Sequence, residues 1–363
     1  MAELMIDRRA MIAGVAAAGA SRRAGAVTRW TLPGLAAVRA EARLQEIRGL
    51  VVLSAGQPVI SLGEPAAVDR IASCRKSFLS ALYGIAVRDQ KINLDITLKD
   101  VGIDDDSKLT DIERRATVRQ LLQAKSGVYI PSSAETPAMK AARPARGSHA
   151  PGTFWYYNNW DFNALGEVYQ RLTGFSFFQA FEHQLARPLG FVDFDPLKHA
   201  RFEYDPDAPR FPAYDLWLSA RDMAKFGQLY LQKGRWQGRD ILPADWVDLT
   251  TKPISRTNRE GIESGYGYLW WGDIDPAVSG LPPGSYTAAG NGGRYIVVMP
   301  AIDVVVAMQP IETAGQPQAK IYTDPTALDR LLKLVAAARQ APDAVAPQAG
   351  LRHDGQPAPV PKG

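Results

Sequence analysis

Apolar and polar positions follow different periods along this chain. Leu50-Val51-Val52-Leu53 and Val59-Ile60 are apolar runs on either side of Ser54-Ala55-Gly56-Gln57-Pro58, the pattern of a hairpin. From Ser73 the period changes: Phe78, Leu79, Leu82, Ile85 and Ala86 recur at spacings of three and four, which predicts a helix with one apolar face. A second stripe, Leu165, Val168, Tyr169 and Leu172, predicts a helix stopped by Gly174. A third opens at Ser219, with Asp222 completing a variant of the capping box, carries Met223, Phe226, Leu229 and Tyr230, and ends at Gly234. Strand character returns over 266–271, 295–299 and 304–308, the last two joined by a turn at Pro300-Ala301-Ile302-Asp303. A closing helix runs through Leu331, Leu332, Leu334 and Val335.

Strands near both ends with helices between them predict an α+β fold. Its antiparallel sheet is built from the two ends of the chain and flanked by helices, and a mostly helical lobe, about residues 95–210, is inserted between them. A cleft between sheet and lobe is the expected place for a site. The single catalytic domain is expected over 30–340, and residues 341–363, rich in Pro, Ala and Gly, read as a flexible tail.

Composition narrows the functions open to such a fold. The chain is 46% hydrophobic with eight Trp, ample for a large core, and its 42 basic and 38 acidic residues leave a net charge of only +4. No Lys/Arg run is interleaved with aromatics, so nucleic acid is not an expected partner. Cys74 is the one cysteine, which excludes an intrachain disulfide, and the four histidines lack metal-ligand spacing, so no metal is expected. At the amino terminus, Asp7-Arg8-Arg9 precedes an apolar run over 11–20 that ends in Ala18-Gly19-Ala20. This reads as a twin-arginine export signal within 1–25, which predicts a periplasmic or secreted protein, a basic helix on a cytoplasmic protein being the alternative. The run is shorter than the roughly 20 residues needed to span a bilayer, so no stable membrane anchor is expected.

Three stretches carry candidate chemistry. Ser73-Cys74-Arg75-Lys76 is the only Ser-x-x-Lys in the chain. On the first turn of a helix, residues three apart share a face, so the Lys76 amine can reach the Ser73 hydroxyl. A lysine desolvated there has a lowered pKa and can accept the serine proton, while the helix N-terminus favours a developing alkoxide. Pro151-Gly152-Thr153-Phe154-Trp155-Tyr156-Tyr157-Asn158-Asn159 offers a phenol to relay a proton and an amide to hold a substrate carbonyl. Tyr286-Thr287-Ala288-Ala289-Gly290-Asn291-Gly292-Gly293-Arg294 is a small-residue strand edge running into a glycine loop. A substrate can lie against its backbone, and a main-chain N–H can face an oxyanion.

With these three in this order, the chain resembles the group of class C β-lactamases, D-alanyl-D-alanine carboxypeptidases and related esterases and amidases. The resemblance covers about 30–340 and also rests on Leu121-Leu122-Gln123-Ala124-Lys125-Ser126-Gly127, Leu165-Gly166 and Ser219-Ala220-Arg221-Asp222. It implies Ser73 as nucleophile, Lys76 and Tyr157 as joint general base and acid, Asn159 as a substrate amide contact, and the backbone N–H groups of Ser73 and Asn291 as oxyanion hole. Ala288, Gly290 and Asn291 would line the substrate site, with no metal or organic cofactor. Tyr156-x-Asn158 is a competing register, but counting from Pro151-Gly152-Thr153 favours Tyr157-x-Asn159.

One departure bears on substrate. Where lactamases and peptidases of the group have Lys or His, this chain has Ala288, so a carboxylate-holding cation is missing from that position. Arg294 reads equally as its replacement or as a solvated edge residue, and Cys74 as a small packed side chain. The expected substrate is a small ester or amide, as for the esterases and nylon-oligomer amidases of the group. A β-lactam or cell-wall peptide, and a non-catalytic binding role on the same fold, are the alternatives. A lipase-type hydrolase is disfavoured because Gly-x-Ser-x-Gly does not occur.

Overall fold

The computed structural model describes residues 30–311, 321, 324 and 326–339. The export-signal residues and the Pro/Ala-rich tail of the sequence reading lie outside them. Residues Thr31–Arg339 form one compact unit.

Helix α1 (Leu32–Leu44) starts where the Thr31 hydroxyl accepts the Gly34 N–H, and Pro33 is pre-set for the first turn. It leads into the hairpin of β1 (Ile47–Ser54) and β2 (Gln57–Gly63), then the short β3 (Val68–Arg70) and α2 (Arg75–Arg88). After the inserted lobe come β4 (Ala200–Asp205), β5 (Ala208–Ser219), the ribbon β6 (Arg235–Trp236) and β7 (Arg239–Asp240), and then β8 (Ser255–Arg256), β9 (Gly265–Tyr266) and β10 (Trp271–Gly272). β11 (Tyr286–Gly290), β12 (Arg294–Met299) and β13 (Val304–Pro310) complete the strands, and helix Ala327–Ala338 follows.

The main sheet has the order β2-β1-β13-β12-β11-β10-β9-β8. β13 pairs antiparallel with β1, Val52 opposite Val306, so the sheet is built from both ends of the chain, as the sequence pattern predicts. β11, β12 and β13 are buried at every position. Successive strand residues point to opposite faces, so such strands need cover on both. Helix Ala220–Leu231 lies against β1, β12 and β13, while α1 packs against β1 and the helix Ala327–Ala338.

Gly227 sets how closely its helix approaches the sheet. A Cβ there would fall 2.5 Å from Val305 Cγ1 and 2.9 Å from Ile296 Cγ2. Glycine to alanine in a helix interior ordinarily stabilises by about 1 kcal/mol. At this position overpacking reverses the sign, and Gly227→Ala is expected to cost roughly 1–3 kcal/mol, read as a lower thermal midpoint.

Three elements differ from the sequence expectation. α2 is not one-sided: every residue from Arg75 to Ala86 is buried, because the helix runs through the middle of the molecule. Its polar side chains bind backbone from other segments, Ser77 Oγ donating to Leu269 O and Ser80 Oγ to Tyr268 O. The aromatic run 266–271 is two short strands around a turn, with Leu269 at φ 63°, and those two serines take the turn's carbonyls. At the third helix, Ser219 caps Asp222 N, but the Asp222 carboxylate accepts from the N–H groups of Val192 and Asp193 instead of reaching back. The inserted lobe centres on helix Asn159–Thr173, closed by Gly174 in the left-handed region, with long irregular segments between its shorter helices. It also carries β4, which pairs with β5 and through it with β3, a small sheet the hydrophobic pattern does not reveal.

Candidate active site

Ser73 stands in a single 3₁₀ turn, Ala72–Cys74, that runs directly into α2. Ala72 holds φ at 46°, a left-handed conformation that costs a non-glycine residue of order 1 kcal/mol and marks a site held by its surroundings. Lys76 Nζ lies 2.8 Å from Ser73 Oγ. Lys76 is only 2% exposed, and its amine sits 4.9 Å above both the Tyr157 and the Phe162 ring. Burial drives the Lys76 pKa well below the ordinary lysine value; the neighbouring Arg75 charge pushes the same way and Asp215 opposes it.

The aromatic loop sorts its paired residues to opposite uses. Asn158 is a buried brace: its Nδ2 donates to Val128 O and Asp161, and its Oδ1 accepts the Trp160 N–H to cap the helix. Tyr156 donates to Met139 O at 2.9 Å. Tyr157 instead lines the cleft beside Ser73. Its phenol pKa is raised by burial, while the Ser73 hydroxyl and the Arg75 and Arg259 charges pull it back. Asn159 lines the cleft with Nδ2 on Ala134 O at 2.6 Å, and its Oδ1 has no partner within the protein. The structure thus brings Ser73, Lys76, Tyr157 and Asn159 together, while the Tyr156 hydroxyl is bound to Met139 O and Asn158 is spent as a cap.

The third stretch closes the site from the sheet. Gly290 ends β11 hard against the Ser73 turn, where a Cβ would collide with Ile71 O and lie 3.3 Å from Cys74 Sγ. This close approach, open only to glycine, brings Asn291 and Gly290 to the cleft beside Ser73. Ala288 is corrected: it is fully buried, its carbonyl accepts the Cys74 thiol, and its methyl is too short to emerge where a long cation would. Ala289 is the alanine that lines the cleft. Arg294 lines the cleft and is not a solvated edge residue. It is 4% exposed and braces the loop, Nη1 donating to Asn291 O at 2.8 Å and Nε to Arg70 O. Cys74 is packed, donating to Ala288 O and Arg294 O, and burial pushes its thiol up to about 12.

The family model described as Beta-lactamase matches residues 38–310. The chain belongs to the beta-lactamase family. Its relatives of known structure include a penicillin-binding protein homologue from Caulobacter crescentus, 16% identical over 86% of this chain and 99% of that one at a TM-score of 0.62. EstCE1, a hydrolase with promiscuous acyltransferase activity, is 17% identical over 83% and 98%, at 0.57. A candidate 6-aminohexanoate-dimer hydrolase from Bacillus anthracis is 19% identical over 80% and 81%, at 0.54. At these identities the likeness is one of fold, and the family is one of serine hydrolases.

In this member of the beta-lactamase family the cleft is about 1240 Å³, larger than a site for one small molecule needs. Its walls carry charged groups that no local motif announces. Beneath Ser73, Arg75 is buried between the Tyr214 ring and Asp215 Oδ1, 3.7 Å away, and Arg70 ties Asp215 to Glu203. On the opposite wall Trp271 stacks on Tyr157 with ring centroids 5.2 Å apart, and the Arg259 guanidinium lies 4.6 Å over the Trp271 ring. Only Arg75 was within reach of sequence reasoning, because it stands inside Ser-x-x-Lys. Among the described residues no group of three or more His, Cys, Asp or Glu could hold a metal ion.

Proposed function

We propose that this protein cleaves an ester or amide bond through a covalent acyl-enzyme on Ser73. The observation that carries the reading is the Ser73 hydroxyl bonded at 2.8 Å by a desolvated Lys76 amine that itself lies over the Tyr157 ring. A lysine whose pKa is depressed is neutral over more of the working pH range and can accept the hydroxyl proton. Ser73 Oγ then bonds to the substrate carbonyl carbon, and the oxyanion is held by the N–H groups of Ser73 and Asn291. Tyr157 passes the proton to the leaving oxygen or nitrogen as the carbon–heteroatom bond breaks. In the second half a water, deprotonated through the same pair, attacks the acyl carbon and Ser73 Oγ takes the proton back. Asn159 Oδ1, buried in the cleft wall without a partner within the protein, would accept a substrate N–H once the wall opens to it. EstCE1, a hydrolase, and the candidate 6-aminohexanoate-dimer hydrolase share this fold, which agrees with an ester or amide substrate. The buried Ala288 disfavours a substrate held by a cation at that position, as in the lactamases and carboxypeptidases.

The test is incubation with a fluorophosphonate probe followed by intact mass and peptide mapping, beside turnover of p-nitrophenyl butyrate. One adduct per chain, mapped to Ser73, with measurable turnover is expected. No adduct and no turnover would return the protein to a binding role on this fold.

A further inference from the structure

The cleft walls hold more positive charge than the proposed acyl transfer uses, and the charges are placed unevenly. Each carboxylate facing the cleft is already engaged: Glu135 with Arg143, Glu203 with Arg70, and Glu263 with Arg259. Arg256, at the end of β8, lines the same wall as Arg259, is exposed, and among the described residues has no carboxylate partner. Arg259 is half exposed at 50% and uses Nη1 on Glu263 at 2.6 Å, so other donors of its fork face solvent in the cleft. Two cations thus share one carboxylate on this wall. Arg259 is also held in place, since its guanidinium is stacked on Trp271, which is stacked on Tyr157. An arginine fixed on an aromatic face loses less freedom when it binds an anion.

The geometry points to Arg259, assisted by Arg256, as an anchor for a carboxylate of the substrate, two stacked rings away from Ser73. This rests on the acyl-transfer reading and adds a substrate class to it: esters or amides that carry an anionic group several bonds from the scissile carbonyl. The cation missing at Ala288 is thereby not restored at its own place, because Arg259 enters from the segment before β9, and a carboxylate held there lies farther from the reacting bond.

The experiment compares matched substrates that differ only in charge. On the acyl side the pair is mono-4-nitrophenyl suberate and 4-nitrophenyl octanoate. On the leaving-group side it is 4-butyryloxybenzoate and its methyl ester. The ratio of kcat/KM, anionic over neutral, is measured for the wild type, Arg259→Gln, Arg259→Lys and Arg256→Gln. A charge-assisted arginine–carboxylate contact is expected to give a ratio of about ten- to a hundredfold in one of the two pairs. That ratio should fall at least about tenfold in Arg259→Gln, fall less in Arg259→Lys and Arg256→Gln, and shrink as salt is raised. A wild-type ratio of one or below in both pairs overturns the inference, and needs no variant to fold. A high ratio that all three variants retain overturns the assignment to these residues. If the neutral esters are turned over without charge preference, only this inference is lost. If no ester is turned over and the probe leaves no adduct, the acyl-transfer reading itself fails.

Discussion

Replacing Ser73 with alanine is expected to lower kcat for p-nitrophenyl butyrate by about 10⁴-fold or more and to abolish the fluorophosphonate adduct. The substitution removes one oxygen from a half-buried position, and the Lys76 amine and Tyr157 phenol then lose the hydroxyl beside them. Neither of these can attack in place of Ser73. Lys76 is buried against two aromatic rings, and Cys74, the adjacent nucleophile by sequence, is sealed under β11 with its thiol pushed up to about 12. The residual rate should therefore be that of a general ester-binding cleft. Steady-state turnover with intact-mass detection of the adduct checks both halves. A Ser73→Ala enzyme that keeps a tenth of wild-type activity would show that another group attacks.

What the sequence reveals of this site follows the range of the interactions involved. The Ser73–Lys76 contact is local, fixed by the rise of one helical turn, so three residues of spacing suffice to predict it. The choice of Tyr157 over Tyr156 came from counting out of Pro151-Gly152-Thr153, and its physical reason is that Asn158 is consumed as a helix cap. β1 and the central strands are readable because burial on both faces leaves unbroken apolar runs. The failures are of another kind. Asp215 reaches Arg75 only because β5 crosses beneath the start of α2, and Arg259 meets Trp271 across a turn between edge strands. No periodicity encodes such pairs. The aromatic run 266–271 misled in the opposite sense: its β propensity is real, but serines of α2 bind the backbone of its middle and bend it into a turn. Ala288 occupies a motif position, but β11 is buried at every residue, and sequence spacing does not show that burial.

Arg75 connects the buried charges to the chemistry. It is as buried as Lys76, and Asp215 beside it is 2% exposed, so the three form a closed electrostatic group under the nucleophile. Asp215 favours a charged Lys76 and Arg75 disfavours it; burial, the largest influence, sides with Arg75. The packing that seals the base of the cleft thus shifts the lysine toward its neutral form.

That balance has a consequence for stability. In the folded protein the Lys76 pKa lies well below the unfolded value of 10.5. Between those two pH values the unfolded chain binds a proton that the native site does not, so Lys76 makes stability rise with pH across that window. At pH 7, below the ordinary lysine value, the native state therefore carries a cost for burying this lysine. Lys76→Met keeps the volume and removes the amine, and is expected to raise stability at pH 7 by on the order of 1 kcal/mol. It is also expected to lower kcat/KM by about 10²- to 10⁴-fold, the range for a lost general base. The acid limb of the wild-type pH–rate profile, which reports protonation of Lys76, should disappear with it. Thermal unfolding of both proteins from pH 6 to 10, with kcat/KM over the same range, checks the three together. A variant that loses activity without gaining stability would mean that Lys76 is charged in the native state and holds Ser73 as a hydrogen-bond donor.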